Sequence, residues 1–87
     1  MELKAWLKSI ILGLVSYPKN IEIAETDDDM GKLFVVKVHQ EDFGKVIGKG
    51  GNIANAIRVI LRSAGKLQDL RVSMKVDGGT NYEPADR

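Results

Sequence analysis

Residues 44–51 read Gly44-Lys45-Val46-Ile47-Gly48-Lys49-Gly50-Gly51, four glycines in eight residues between two helical patterns. Glycine loses more conformational entropy on folding than any other residue, so such a density needs a reason. A tight corner between two helices needs one glycine at positive φ; Gly48, Gly50 and Gly51 together ask for more. A turn without side chains lets another backbone come close. This turn also opens onto a helix N-terminus, where unpaired N–H groups and the helix dipole attract an anion. Lys49 at the tip adds a positive charge. The pattern points to a phosphate-binding turn.

Two better-known phosphate loops do not fit. A Walker A loop has four residues between its first glycine and its Gly-Lys, followed by Ser or Thr. Here three residues separate Gly44 from Gly48, and Gly50 follows Lys49. A dinucleotide fingerprint needs Gly-x-Gly-x-x-Gly after a strand, and neither spacing nor context matches. Asp42-Phe43-Gly44 spells a kinase metal-binding tripeptide in a chain far too short for a kinase.

The chain has 87 residues, which sets a single small domain with a thin core. It has no cysteine, which excludes disulfides, thiolate catalysis and Cys-ligated zinc, and its one histidine forms no metal cluster. No apolar run is long enough for a membrane span, and Lys4 and Lys8 interrupt the N-terminal segment, so the expected location is the cytoplasm. No catalytic residue, metal site or cofactor is expected. Asp27-Asp28-Asp29 lacks the alternation of a calcium loop and reads as a solvated turn, which would also repel a nucleic-acid strand.

The formal net charge of +1 hides an asymmetry. Residues 44–75 carry Lys45, Lys49, Arg58, Arg62, Lys66, Arg71 and Lys75 against Asp69 alone. Such a segment fits a local anion site or, more plainly, a solvated face.

Leu3, Trp6, Leu7, Ile10 and Leu14 mark one face of a helix over 2–16, ended by Tyr17-Pro18. Residues 20–25 and 33–38 read as strands joined by a turn over 26–31, with His39 a turn residue at the strand end. Glu41 and Asp42 suit the positive end of a short helix reaching Ile47. Asn52 starts a longer helix to Ala64, with Gly65 as its stop, and residues 70–76 alternate as a third strand. On the long helix Ile53, Ala54, Ala56, Ile57, Ile60, Leu61 and Ala64 share the arc expected to be core. Asn52, Asn55, Arg58 and Arg62 fall opposite, where Val59 is an isolated apolar residue. The order is α-β-β-α-α-β, an α+β layer of helices on one face of a three-stranded sheet.

Val46-Ile47-Gly48-Lys49-Gly50-Gly51 between two helices resembles the Val-Ile-Gly-x-x-Gly signature of the KH domain, and the element order resembles its type II form. The size, the opening helix before Pro18, and Ile53-Ala54-Asn55-Ala56-Ile57-Arg58 are similar to the KhpA family of small stand-alone bacterial KH proteins. One departure is Ala54, where many KH domains carry Ile. The resemblance implies a single KH domain over 1–77 and a disordered tail over 78–87. It implies non-catalytic single-stranded RNA binding, as in an RNA chaperone or post-transcriptional regulator, with the loop clamping the RNA backbone. It assigns Gly48, Lys49, Gly50 and Gly51 to phosphates and Val46, Ile47 and Ile53 to apolar base contacts, with Lys45, Asn52, Asn55, Arg58 and Arg62 around them. It also implies homodimers and a Jag/KhpB-type RNA-binding partner. The alternative is a protein–protein adaptor in which RNA binding is secondary.

Overall fold

The computed structural model describes residues 2–29 and 31–78. Helix α1 (Leu3–Leu12) is followed by a 3-10 turn (Pro18–Asn20), strands β1 (Glu22–Asp28) and β2 (Gly31–Val38), helix α2 (Gln40–Ile47), a second 3-10 turn (Lys49–Gly51), helix α3 (Asn52–Lys66) and strand β3 (Val72–Gly78). The expected α-β-β-α-α-β order stands. The remainder of the expected tail, 79–87, lies outside the described residues.

β2 is the central strand of the order β1-β2-β3. It runs antiparallel to β1, with Ala24 opposite Val35, and parallel to β3, with Phe34 opposite Met74. The parallel pairing demands a crossover, which α2 and α3 supply. Phe34, Val36 and Val38 of β2 and Val72 and Met74 of β3 meet Leu3, Leu7 and Ile11 of α1, Val46 of α2 and Ala54, Ile57 and Leu61 of α3 in one core. Leu7, with no exposed surface, sits among them. Truncating such a leucine to Ala costs about 2–5 kcal/mol.

The structure moves several boundaries. α1 stops at Leu12 rather than 16, because the next N–H groups find other partners: Gly13 bonds back to the last turn, while Ser16 and Tyr17 donate to Asp42. Strand β1 continues through Asp27 and Asp28, which shortens the expected turn. Its charges are partly matched by Lys32, which pairs with Glu25 and, at 3.4 Å, with Asp27. These carboxylates raise the Lys32 ammonium above its usual value. Gly44 belongs to α2, leaving Gly48–Gly51 as the loop.

Gly65 does not end α3; it lies inside it and is buried. A Cβ there would come within 2.6 Å of Val72 Cγ2 and 2.8 Å of the Leu70 carbonyl, so glycine lets α3 pack close to the start of β3. α3 is also turned relative to the sequence expectation. Its buried face is Ala54, Ile57, Leu61 and Gly65, rotated away from the arc read from the sequence. Ala56 and Ile60, placed in the core by periodicity, are exposed, Ile60 by 51%.

Candidate nucleic-acid interface

The two ends of α2 place the site. At its start His39 is the N-cap, its Nδ1 accepting the Glu41 N–H at 3.0 Å, and its ring stacks on Tyr17 at a centroid distance of 4.0 Å. The Tyr17 hydroxyl donates to Glu41 at 2.9 Å, and that bond is the main cause of its raised pKa. Beneath them Asp42, with 0% exposure, accepts from the N–H of Ser16 and of Tyr17, each at 2.9 Å. Lys45 Nζ lies 3.4 Å from the same carboxylate and donates to the Ser16 hydroxyl. Burial pushes the Asp42 carboxyl up, but the two backbone bonds and the Lys45 ammonium outweigh it and hold it below the ordinary range. This cluster ties the segment after α1 to α2. The sequence reading treated Asp42 as a dipole-facing acid and His39 as a plain turn residue; no local signal marks their partners, which lie over twenty residues upstream.

At its other end α2 closes on Gly48, whose N–H reaches the Gly44 carbonyl at 2.8 Å. Gly48 has φ 79° and ψ 174°, a region open essentially to glycine alone, and a Cβ there would strike Asn52 Oδ1 and Ile53 Cγ1. Gly50 and Gly51 follow at φ 63° and 81°, with nothing near the place a Cβ would take. The turn closes through the Gly51 N–H on the Gly48 carbonyl at 3.1 Å. Lys49 and Gly50 are exposed, and α3 begins directly behind them. An exposed lysine and a helix N-terminus give this turn a positive local field.

From this turn α3 runs antiparallel to β3, and the two enclose a groove along the free edge of the sheet. Arg58 Nε donates to the Met74 carbonyl at 3.1 Å. Further along, a cleft of about 530 Å³ is lined by Arg62, Lys66, Leu70, Arg71 and Ser73, among others. The cleft brings the expected Arg62 together with Lys66 and Arg71, which were not among the expected site residues, and with the acidic Asp69; Arg58 and the loop lie outside its lining. The signal of Lys66 and Arg71 in the sequence was only the excess of cations in 44–75.

Other expected contacts lie elsewhere. Val46 is fully buried and belongs to the core, so its side chain is closed to a ligand. Ile53 is half-buried against Gly48, and Ile47 is also half-buried. Lys45 is engaged by Asp42 and Ser16. Asn52 and Asn55 are exposed at the start of α3. Among the described residues no cluster of His, Asp or Glu could hold a metal ion, and no helix is long and apolar enough to cross a membrane.

A three-stranded mixed sheet covered on one face by helices, with a Gly-Lys-Gly-Gly turn between α2 and α3, defines a type II KH domain. A sequence model of the KhpA/KhpB KH domain matches residues 4–76, and the chain belongs to that family. It is 44% identical over 59 residues to the RNA-binding protein KhpA of Oceanobacillus iheyensis, covering 68% of this chain and 79% of the relative. It is 35% identical over 74 residues to the RNA-binding protein KhpA of Clostridium acetobutylicum, covering 85% and 99%. It is 34% identical over 59 residues to the protein of the same name from Streptomyces coelicolor, covering 68% and 75%. No solved structure gives a significant match.

Proposed function

We propose that this chain is a non-catalytic, cytoplasmic RNA-binding protein that grips the backbone of a single strand at Gly48–Gly51 and lays its bases along the α3–β3 groove. The observation that supports this reading is the glycine turn that opens α3 with an exposed Lys49, together with Arg58 bonded to the β3 edge and Arg62 lining a cationic cleft further along the same helix. The names of its relatives agree with RNA as the ligand. A role as an RNA chaperone or post-transcriptional regulator fits a small clamp without catalytic groups. The test replaces Lys49 and Gly50 together by Asp. Gel-shift titration with short single-stranded RNA should show affinity falling at least about 100-fold, since two carboxylates would face phosphate in place of one cation and a free turn. Unchanged binding would remove the loop from the mechanism.

A second surface supports self-association. Val59 and Ile60 are 47% and 51% exposed, and with Ala56 they form an apolar strip on α3 away from β3. A two-fold contact there would bury each residue twice and set two weak RNA clamps side by side. We propose a homodimer through this strip. The same strip could instead seat a KhpB-type KH protein, the adaptor reading, because the family includes both kinds. RNA affinity that survives only in the presence of such a partner would favour the adaptor.

A further inference from the structure

The free edge of β3 has a fixed hydrogen-bonding phase. The Lys32 N–H donates to the Arg71 carbonyl at 2.7 Å, so Arg71, and with it Ser73 and Lys75, turns its backbone toward β2. Val72, Met74 and Val76 therefore turn theirs outward, toward α3 and the groove. Such an edge would present an incoming base with alternating carbonyls and N–H groups. Here the middle carbonyl, that of Met74, is already taken by Arg58 Nε at 3.1 Å.

This single bond changes what the edge can recognise. A bare carbonyl accepts from an exocyclic amino group. A guanidinium in front of it offers donors only. Arg58 has five N–H groups, and one is engaged on Met74, which leaves the paired terminal N–H groups as a planar fork. No other partner holds that fork among the described residues. The backbone bond also fixes its position, so little side-chain freedom remains to be lost on binding. The fork sits in α3 seven residues beyond Gly51, about 10 Å along the helix from the turn that holds phosphate. At that distance it faces the strand edge, where bases lie, and not the phosphate clamp.

A two-donor fork requires two adjacent acceptors. Guanine supplies N7 and O6, and cytosine supplies N3 and O2. On its Watson–Crick and Hoogsteen edges adenine sets its acceptor beside the N6 amino group, and uracil separates its carbonyls by an N–H, so on these edges either would leave a donor facing a donor. We propose that Arg58, anchored on the Met74 carbonyl, is a specificity-determining residue that selects a guanine or cytosine at one position of the bound strand. The proposal rests on the RNA-binding reading above.

Fluorescence anisotropy with labelled short RNAs, varied one base at a time, tests it on the full chain. Wild type should prefer guanine or cytosine over adenine and uracil at one position by roughly 5- to 100-fold. Arg58→Lys keeps the charge and loses the fork; it should flatten that preference to within about twofold and leave preferences elsewhere intact. Arg58→Gln should do the same, and supplies the test if the lysine variant folds poorly. If guanine is the chosen base, 7-deazaguanine should bind as weakly as adenine; if cytosine is, the fork reads N3 and O2.

An unchanged preference in Arg58→Lys overturns the proposal. So does a uniform loss across all sequences with a shallower salt slope, which would make Arg58 a phosphate contact. The Lys49→Asp, Gly50→Asp protein separates the two readings. If it binds like wild type, the clamp falls while the base preference still judges Arg58. If wild type binds none of these RNAs, both fall.

Discussion

At the start of α2 a buried carboxylate is saturated: Asp42 takes two backbone N–H groups and a lysine, while His39, Tyr17 and Glu41 close over it. At the end of the same eight-residue helix, the Gly48–Gly51 turn carries Lys49, exposed and in no ion pair among the described residues. Both ends contain polar groups that need partners. One finds them within the chain and so holds the fold; the other, on the reading proposed above, offers its lysine to a ligand. The difference teaches how an eight-residue helix can be fixed at one end and present an exposed, charged turn at the other.

Mutations should separate the two ends. Asp42→Ala strands the N–H groups of Ser16 and Tyr17 and should cost roughly 3 kcal/mol. Thermal melting should then drop by about 12–24 °C for a domain of this size. Below that melting range, affinity for RNA should stay within about threefold of wild type, since stability and binding are separate quantities for a folded population. A large loss of affinity in the folded variant would mean that the Asp42 cluster shapes the loop directly. Conversely, the Lys49→Asp, Gly50→Asp protein should melt within a few degrees of wild type, its main penalty being the positive φ at position 50, about 1 kcal/mol.

Acid sharpens the same contrast. The Asp42 pKa is lowered in the folded state, so its contribution is complete above the unfolded carboxylate pKa. It is lost as pH falls below that value and through the folded one. Urea unfolding from neutral pH down to pH ~2 should show wild type losing more stability than Asp42→Asn over the acidic limb. Parallel curves would assign acid lability to other carboxylates.

The salt dependence of RNA binding should be modest, a log–log slope of roughly −1.5 to −3, because one clamp touches few phosphates. A slope beyond about −5 would extend the contact surface well past the groove. The smallest expected change in stability is at the α3 strip. Ile60→Asp and Val59→Asp replace exposed side chains and should shift stability by about 0.5 kcal/mol or less. Sedimentation should nonetheless show wild-type dimers and monomeric variants at tens of micromolar. Dimers that persist in both variants would move the interface off α3.

Much of the site was legible because it is local. Gly48, Gly50 and Gly51 announce a turn by their composition alone, and Lys49 lies within it. Arg58 and Arg62 fall on one side of α3 by helical spacing. Val46 was misread because a signature residue beside a loop looks available, and only packing shows that its face of α2 points into the core. Ile60 and Ala56 were misread because periodicity gives the width of an apolar arc but not its rotation against the sheet. The buried face includes Gly65, which admits Val72 and the Leu70 carbonyl at close range.

The sequence by itself determined the element order, the helical and strand periods and the glycine turn, since these depend on residues within a few positions of one another. Tertiary structure alone decided which carboxylate is buried, which face of α3 is left bare and which carbonyl of β3 is covered. Asp42 meets Ser16 and Tyr17 across some twenty-five residues, and Arg58 meets Met74 across sixteen. Contacts at such separations carry no periodic trace in the chain. The parallel pairing of β2 with β3 forces α2 and α3 into one crossover, which brings Arg58 within bonding distance of Met74, while the packing of the segment after α1 against α2 brings Ser16 and Tyr17 to Asp42.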